Sequence, residues 1–236
     1  MVYNVPQPLQ QLFLPPSCLL CNDPGEGELD LCTTCLDNLP SNHHACSRCA
    51  LPLPEEAPAG SLCGHCSRTE PPFHRIVAPW RYEGPLAELI RLLKFRQKLA
   101  VGRSLGILLA RQLKRRRDRP QLILPVPLHP RQLRERGFNH AAELAYAVSR
   151  ELELPWSTRL LRKRRPTPAQ HDLDRGERLE NLRGAFHFIP AGGYRHVAVV
   201  DDVVTTGATV TEVARTLKRA GVEKVEIWAV ARTPDR

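Results

Sequence analysis

The chain has 236 residues, 42% of them hydrophobic and 25% charged, with a formal net charge of +9 and a pI near 9.4. That composition excludes a largely disordered chain and provides for one sizeable core plus a small module. The charge is uneven: residues 1–70 hold Arg48 and Arg68 against eight acidic residues, leaving 32 basic and 17 acidic residues in the remainder. A body that basic attracts phosphate, whether as pyrophosphate or as nucleic acid.

The N-terminus, M-V-Y-N-V-P-Q-P-L-Q-Q-L-F-L-P-P, lacks the basic and apolar regions of a secretory signal, and no apolar run reaches membrane-span length. A cytoplasmic protein without membrane insertion is expected. In that reducing compartment the eight cysteines read as metal ligands rather than disulfides. They form four C-x-x-C knuckles: Cys18/Cys21, Cys32/Cys35, Cys46/Cys49 and Cys63/Cys66, separated by ten, ten and thirteen residues. Two knuckles complete one tetrahedral thiolate site, so two structural zinc ions are expected in a module over residues 1–70 that has few large apolar side chains. The first knuckle pairs either with the second, giving a double zinc ribbon, or with the third, giving a cross-brace. His43, His44 and His65 read as exposed loop residues, since eight thiolates already fill two sites.

Pro71–Phe73 marks the boundary to a body over residues 71–236. Ile76–Tyr82 reads as an edge strand interrupted at Pro79. Gly84-Pro85 opens a helix with Leu86, Leu89, Ile90 and Leu93 on one face. A second helix, over about Ala100–Arg117, ends in K-R-R-R-D-R, which reads as a solvated helix end with a nucleic-acid contact as the alternative. Trp80, Tyr82 and Phe95 offer nearby stacking faces or core. Leu122–Val126 reads as the first central strand. Just past it come Pro127, Leu128, His129, Arg131, Arg134 and Arg136, and arginine forks suit pyrophosphate oxygens. A helix over about Asn139–Leu152 follows, with Leu144, Val148 and Leu152 apolar.

The stretch V-A-V-V-D-D-V-V-T-T-G-A-T-V, Val197–Val210, carries the most chemistry. Val197–Val200 suits a strand buried on both faces, and Asp201 and Asp202 stand where it ends. Thr205, Thr206, Gly207, Ala208 and Thr209 make a hydroxyl-rich turn into a helix carrying Val210, Val213, Ala214 and Leu217 on one side, with Gly221 as its stop. The helix N-terminus suits a phosphate monoester. The two carboxylates suit sugar hydroxyls, or magnesium held indirectly. A ribose 5-phosphate satisfies both halves. A last strand, Lys224–Arg232, alternates around Val225, Ile227 and Ala229. Strands alternating with helices imply an α/β domain with a mostly parallel sheet.

Val197–Val210 resembles the phosphoribosyl-pyrophosphate (PRPP) motif of type I phosphoribosyltransferases. The segment P-V-P-L-H-P-R-Q-L-R-E-R-G-F-N, Pro125–Asn139, is similar to the signature of the ComF/GntX family. That resemblance spans nearly the whole chain, with His140 standing where the family usually has Gln and Ala50 where Gly often follows the third knuckle. It implies a zinc-ribbon head before a type I phosphoribosyltransferase-like fold, and a mobile loop over Arg162–Phe186 that carries Arg164 and Arg165 and in which Thr167, Gln170, Arg178 and Asn181 match the family pattern. It further implies PRPP with its 5-phosphate on Thr205–Thr209, its ribose at Asp201 and Asp202, its pyrophosphate at the arginine segment, and magnesium bridging ribose and pyrophosphate. Neither a general base nor an acceptor is identified, and any hood over the acceptor comes from residues 71–120 or the zinc head. Three functions follow as expectations: a phosphoribosyltransferase linked to natural competence and DNA uptake, a non-catalytic single-stranded nucleic-acid binder within the competence machinery, or a PRPP-sensing scaffold. The oligomeric state is left open.

Overall fold

A computed structural model describes residues 16–96, 98–166 and 180–234. In the head, two five-residue helices, α1 (Thr33–Asp37) and α2 (Gly64–Arg68), each begin at a cysteine, Cys32 and Cys63. The body follows as β1 (Arg75–Val77), β2 (Trp80–Arg81), α3 (Gly84–Arg96), α4 (Leu99–Leu113), β3 (Leu122–Pro125), α5 (Pro130–Arg136) and α6 (His140–Leu152). It closes with β4 (Leu161–Lys163), β5 (Phe186–Phe188), β6 (His196–Val204), α7 (Ala208–Arg219) and β7 (Lys224–Arg232).

The main sheet is parallel throughout, in the order β1-β7-β6-β3, with β2 also on β7. Ile76–Tyr82 is thus two short strands on one neighbour, split at Pro79 because proline has no N–H for the ladder. β7 does not alternate between a wet and a dry face. Eight of its nine residues are buried, since it lies between β6 and β1/β2 with layers on both sides. Its odd members, Val225, Ile227 and Ala229, join one core with α7 and the antiparallel β4–β5 ribbon. Its even members, Trp228 and Val230, join another with α3, α4 and α6.

On that second face α4 lies against α6 at the closest possible range. A Cβ built on Gly106 would stand 2.5 Å from the Ala147 Cβ and 3.1 Å from the Leu144 carbonyl, so only glycine lets the backbones meet there. α4 ends at Leu113, four residues short of the expected Arg117. The reason is Arg116, which leaves the helix line to bond a buried carboxylate, Glu226 Oε1, at 2.8 Å. The basic cluster is therefore not uniformly solvated: Lys114, Arg115 and Arg117 are exposed, and Arg116 is a structural ion pair.

The head is not an appendage. Cys18, Leu29, Leu31, Cys32 and Leu39 belong to the same core as Leu86, Leu89, Leu105 and Trp228. Its backbone is stitched to the body by Arg81 N to Pro40 O (2.8 Å), Asn42 N to Pro79 O (2.8 Å) and Ile76 N to Arg48 O (2.8 Å).

Candidate PRPP site and zinc centres

The knuckles pair sequentially. Cys18, Cys21, Cys32 and Cys35 form one tetrad and Cys46, Cys49, Cys63 and Cys66 the other, each with its sulfurs within 4.8 Å of one another, which rules out the cross-brace. Sulfur separations of 3.5 Å (Cys21–Cys32), 3.7 Å (Cys21–Cys35) and 3.6 Å (Cys49–Cys63) match the ~3.8 Å edge of a tetrahedron built on ~2.3 Å zinc–sulfur bonds. Four thiolates with no histidine among them are a closed, structural donor set, and His43, His44 and His65 are exposed.

At the carboxyl ends of the adjacent strands β3 and β6, two segments meet, as ligands of parallel sheets require. β6 runs further than the valine run suggests. Asp201 and Asp202 lie inside the strand, Asp201 in register with Ala229, and pairing continues to Val204. The turn then passes through Gly207 at φ 78°, a left-handed conformation that disfavours other residues, and enters α7. Thr206 Oγ1 accepts from Ala208 N at 3.4 Å, and Thr205–Gly207 remain exposed or half-exposed.

The two aspartates are not equivalent. Asp202 is buried, with Lys94 Nζ from α3 at 2.7 Å from Oδ2 and His140 Nε2 from α6 at 3.7 Å from Oδ1. Burial opposes its charge, but His140 and Lys94 prevail and hold its carboxyl below the usual range. Asp201 is half-exposed, and its Oδ1 accepts from Asp202 N at 2.9 Å. Burial of its carboxyl, then the neighbouring Asp202 charge, push its pKa well above the usual range. Burial likewise lowers the His140 pKa, against the opposing pull of the Asp202 carboxylate. One ligand atom from each of His140, Asp201 and Asp202 lies within 4.8 Å of the others. Asp202 is thus already neutralised by the protein, and Asp201 is the carboxylate left to face a ligand. Magnesium, were it bound, would be held mainly by ligand oxygens, with Asp201 as the available protein donor.

The arginines of this segment lie on a helix, α5. His129 caps α5, its Nδ1 accepting from Arg131 N at 3.2 Å while Gln132 Oε1 accepts from His129 N at 3.4 Å. Arg131 is turned to Glu135 at 2.9 Å, Arg134 is exposed and Arg136 half-exposed. Pro127 and Leu128 are half-buried at the strand end. Asn139 ties this segment to its strand, donating through Nδ2 to Val126 O at 3.0 Å and capping α6 through Oδ1. Of the loop residues, Arg164 and Arg165 sit at the stem of the β4–β5 ribbon, Arg164 N donating to Ala185 O at 2.8 Å and Arg165 bonding Arg183 O. The returning stem is pinned to α7 by Gly184 N to Glu212 Oε1 at 2.8 Å. Thr167, Gln170 and Arg178 lie outside the described residues.

Three site residues carry no signal in the sequence. Lys94 reads as one of several lysines and arginines closing a helix, and His140 as a departure from a motif. Arg232 reads as the end of a strand. It is in fact buried, with Nη1 donating to Val204 O (3.0 Å), Thr233 O (2.8 Å) and Thr205 O. Trp80 is core, Tyr82 is half-buried, and Phe95 is 73% exposed beside Lys94.

Comparison with known proteins agrees with this geometry. Residues 9–67 match the family model described as a double zinc ribbon domain, and residues 139–236 the phosphoribosyl transferase domain. The chain is 36% identical over 229 residues to DNA utilization protein YhgH of Escherichia coli (strain K12), covering 94% of this chain and 99% of that one. It is 36% identical over 211 residues to competence protein F of Haemophilus influenzae, covering 86% and 90%, and 26% identical over 159 residues to competence protein ComFC of Streptococcus pneumoniae, covering 67% and 68%. Among the described residues no helix is long and apolar enough to cross a membrane. With two cysteine tetrads in sequential ribbons, an acidic pair and threonine loop at the end of a parallel strand, and relatives matched nearly end to end, this chain belongs to the ComF/GntX family of double-zinc-ribbon phosphoribosyltransferase-domain proteins.

Proposed function

We propose that the protein binds PRPP with magnesium and transfers its phosphoribosyl group to a nitrogen acceptor, in service of DNA utilisation in the cytoplasm. The observation that carries this reading is the loop itself: β6 delivers Asp201, Gly207 takes the left-handed conformation, and Thr205–Thr209 open onto the N-terminus of α7. The 5-phosphate meets the loop amides and hydroxyls, and the ribose hydroxyls meet Asp201. The pyrophosphate lies toward Pro127–Arg136, where Arg134 and Arg136 meet the charge that grows on it as the C1–O bond breaks. Magnesium, when bound, shields that same charge. Arg164 and Arg165, at the ribbon stem, offer further positive charge to the pyrophosphate.

PRPP with magnesium is expected to raise the melting temperature of the wild type, by a margin that grows with ligand concentration. The double substitution Asp201→Asn, Asp202→Asn should abolish that shift, and an undiminished shift would falsify the ribose assignment.

A second reading, single-stranded nucleic-acid binding, has its own observation. Tyr146 on α6 and Trp156 are 48% and 36% exposed with ring centroids 5.5 Å apart, and Arg150 is exposed one turn beyond Tyr146. Bases stack on such rings while arginine meets the backbone. Tyr146→Ala with Trp156→Ala should weaken binding of an oligothymidylate at low salt by at least tenfold, and wild type that shows no binding at low salt ends this reading.

A further inference from the structure

Arg232, the last residue of β7, touches both halves of the molecule. Its Nε donates to the carbonyl of Cys49, a ligand of the second tetrad, at 3.3 Å. Its Nη1 donates to the carbonyls of Val204 and Thr205, the two residues at which β6 becomes the phosphate loop. The residue is 5% exposed, so this guanidinium is a buried charge bonded to backbone carbonyls. A planar fork held by carbonyls on both sides fixes the separation of those carbonyls.

The consequence for the loop follows from the peptide plane. In a trans peptide the C=O of one residue and the N–H of the next point in opposite directions. Carbonyls of Val204 and Thr205 turned toward Arg232 therefore turn the amides of Thr205 and Thr206 away from it, to the opposite side of the loop. A positive charge directly behind a phosphate-binding loop also adds to its attraction for an anion. On the other side, the Cys49 carbonyl is placed by its thiolate's tetrad. The ribbon's own cluster is small, Cys46, Leu51, Cys63 and Cys66, and Cys49 also packs on the body core that buries Ala50, so the tetrad and the body together place this carbonyl.

We propose that Arg232 is a positioning residue that makes the anion-binding conformation of the Thr205–Thr209 loop depend on the second zinc ribbon. The first ribbon contributes to the body's core instead. Loss of zinc from Cys46, Cys49, Cys63 and Cys66, by metal withdrawal or thiol oxidation, then lowers affinity for phosphoribosyl ligands without touching a loop residue. This rests on the phosphoribosyl reading of the loop.

The test uses full-length, zinc-loaded protein and PRPP with magnesium as the probe, with affinity read by calorimetry alongside zinc content and melting temperature. Arg232→Lys keeps the charge but cannot span Cys49 and Thr205, and Arg232→Gln loses both. Each is expected to keep two zinc ions and to weaken PRPP binding, by at least tenfold for Arg232→Gln and less for Arg232→Lys. Cys66→Ser should weaken binding similarly, and the double substitution Arg232→Gln, Cys66→Ser should be no weaker than the worse single one, because both break one linkage. Losses that multiply would mean two independent structural defects and overturn the proposal. So would a folded Arg232→Lys protein that binds as the wild type does. In the wild type alone, PRPP should slow amide exchange at Ala50 and Leu51 as well as in the loop, since coupling is reciprocal; protection confined to the loop contradicts it. If the wild type does not bind PRPP, the phosphoribosyl reading fails first and this one with it. If it binds and the Arg232 variants match it, only the coupling fails.

Discussion

Cys32→Ser is expected to lose one zinc ion and to lower the melting temperature of the whole chain, whereas Cys63→Ser loses one zinc ion and leaves the main transition near its wild-type temperature. The two thiolates belong to chemically identical tetrads, so the difference comes from their surroundings. Cys18 and Cys32 are 1% and 8% exposed within the core that contains Leu86, Leu89, Leu105 and Trp228. Unfolding the first ribbon therefore opens the face of the body that α3 and α4 cover. Cys46, Cys63 and Cys66 instead form a satellite cluster with Leu51, joined to the body core only through Ala50 and Cys49, so a smaller share of the core depends on their ribbon. Structural zinc contributes an apparent ~10–16 kcal/mol in small ribbons, as large as the ~5–15 kcal/mol stability of a whole domain, so either serine abolishes the ordered ribbon it belongs to. Elemental analysis and scanning calorimetry on both variants check this. Equal losses of melting temperature would contradict a core shared between the first ribbon and the body.

Glu226→Ala is the second large effect: a loss of about 3–5 kcal/mol, or roughly 10 °C at the ~2–4 °C per kcal/mol of a chain this size. Glu226 is fully buried in β7. It accepts from Arg116 Nη2 at 2.8 Å, Arg75 Nε at 3.3 Å and Trp228 Nε1 at 3.0 Å, with Lys224 Nζ at 3.8 Å. Arg116 has only 17% of its side chain exposed, so removing the carboxylate strands a cation that water reaches poorly. Glu226→Gln keeps an acceptor oxygen for Trp228 and should lose less. The network lies at the amino end of the sheet. Glu226 pairs with Ala198, three residues before Asp201, or about 10 Å along the strand at ~3.3 Å per residue. PRPP affinity of the folded variant should therefore match the wild type. Urea denaturation reads the stability, and a loss below about 1 kcal/mol would mean the arginines resolvate freely.

What local residue order could reveal was the chemistry within one short segment. Cysteine knuckles at fixed spacing, an acidic pair after a valine run and a Thr-Thr-Gly turn before an amphipathic helix each specify donors that lie within a few residues of one another. Even there, local pattern misled where burial was two-sided. The alternation of β7 conceals Glu226, because a polar residue between apolar ones reads as outward-facing until β1 and β6 are seen to flank it. The short helix over Pro130–Arg136 has no local signature because histidine is an unusual helix cap.

The donor sets of both zinc sites and of the phosphate loop were thus written in contiguous residues. Which knuckles share a metal was not, because sequential and crossed pairings use the same spacings and differ only in how the chain folds back. Nor was the inequality of the aspartates, which is imposed by Lys94 and His140 from two other helices. The same holds for Arg232, which bridges Cys49 and Thr205 across 183 and 27 positions of sequence. Electrostatics and hydrogen bonding act over a few ångströms, and only the folded sheet brings those groups within that range.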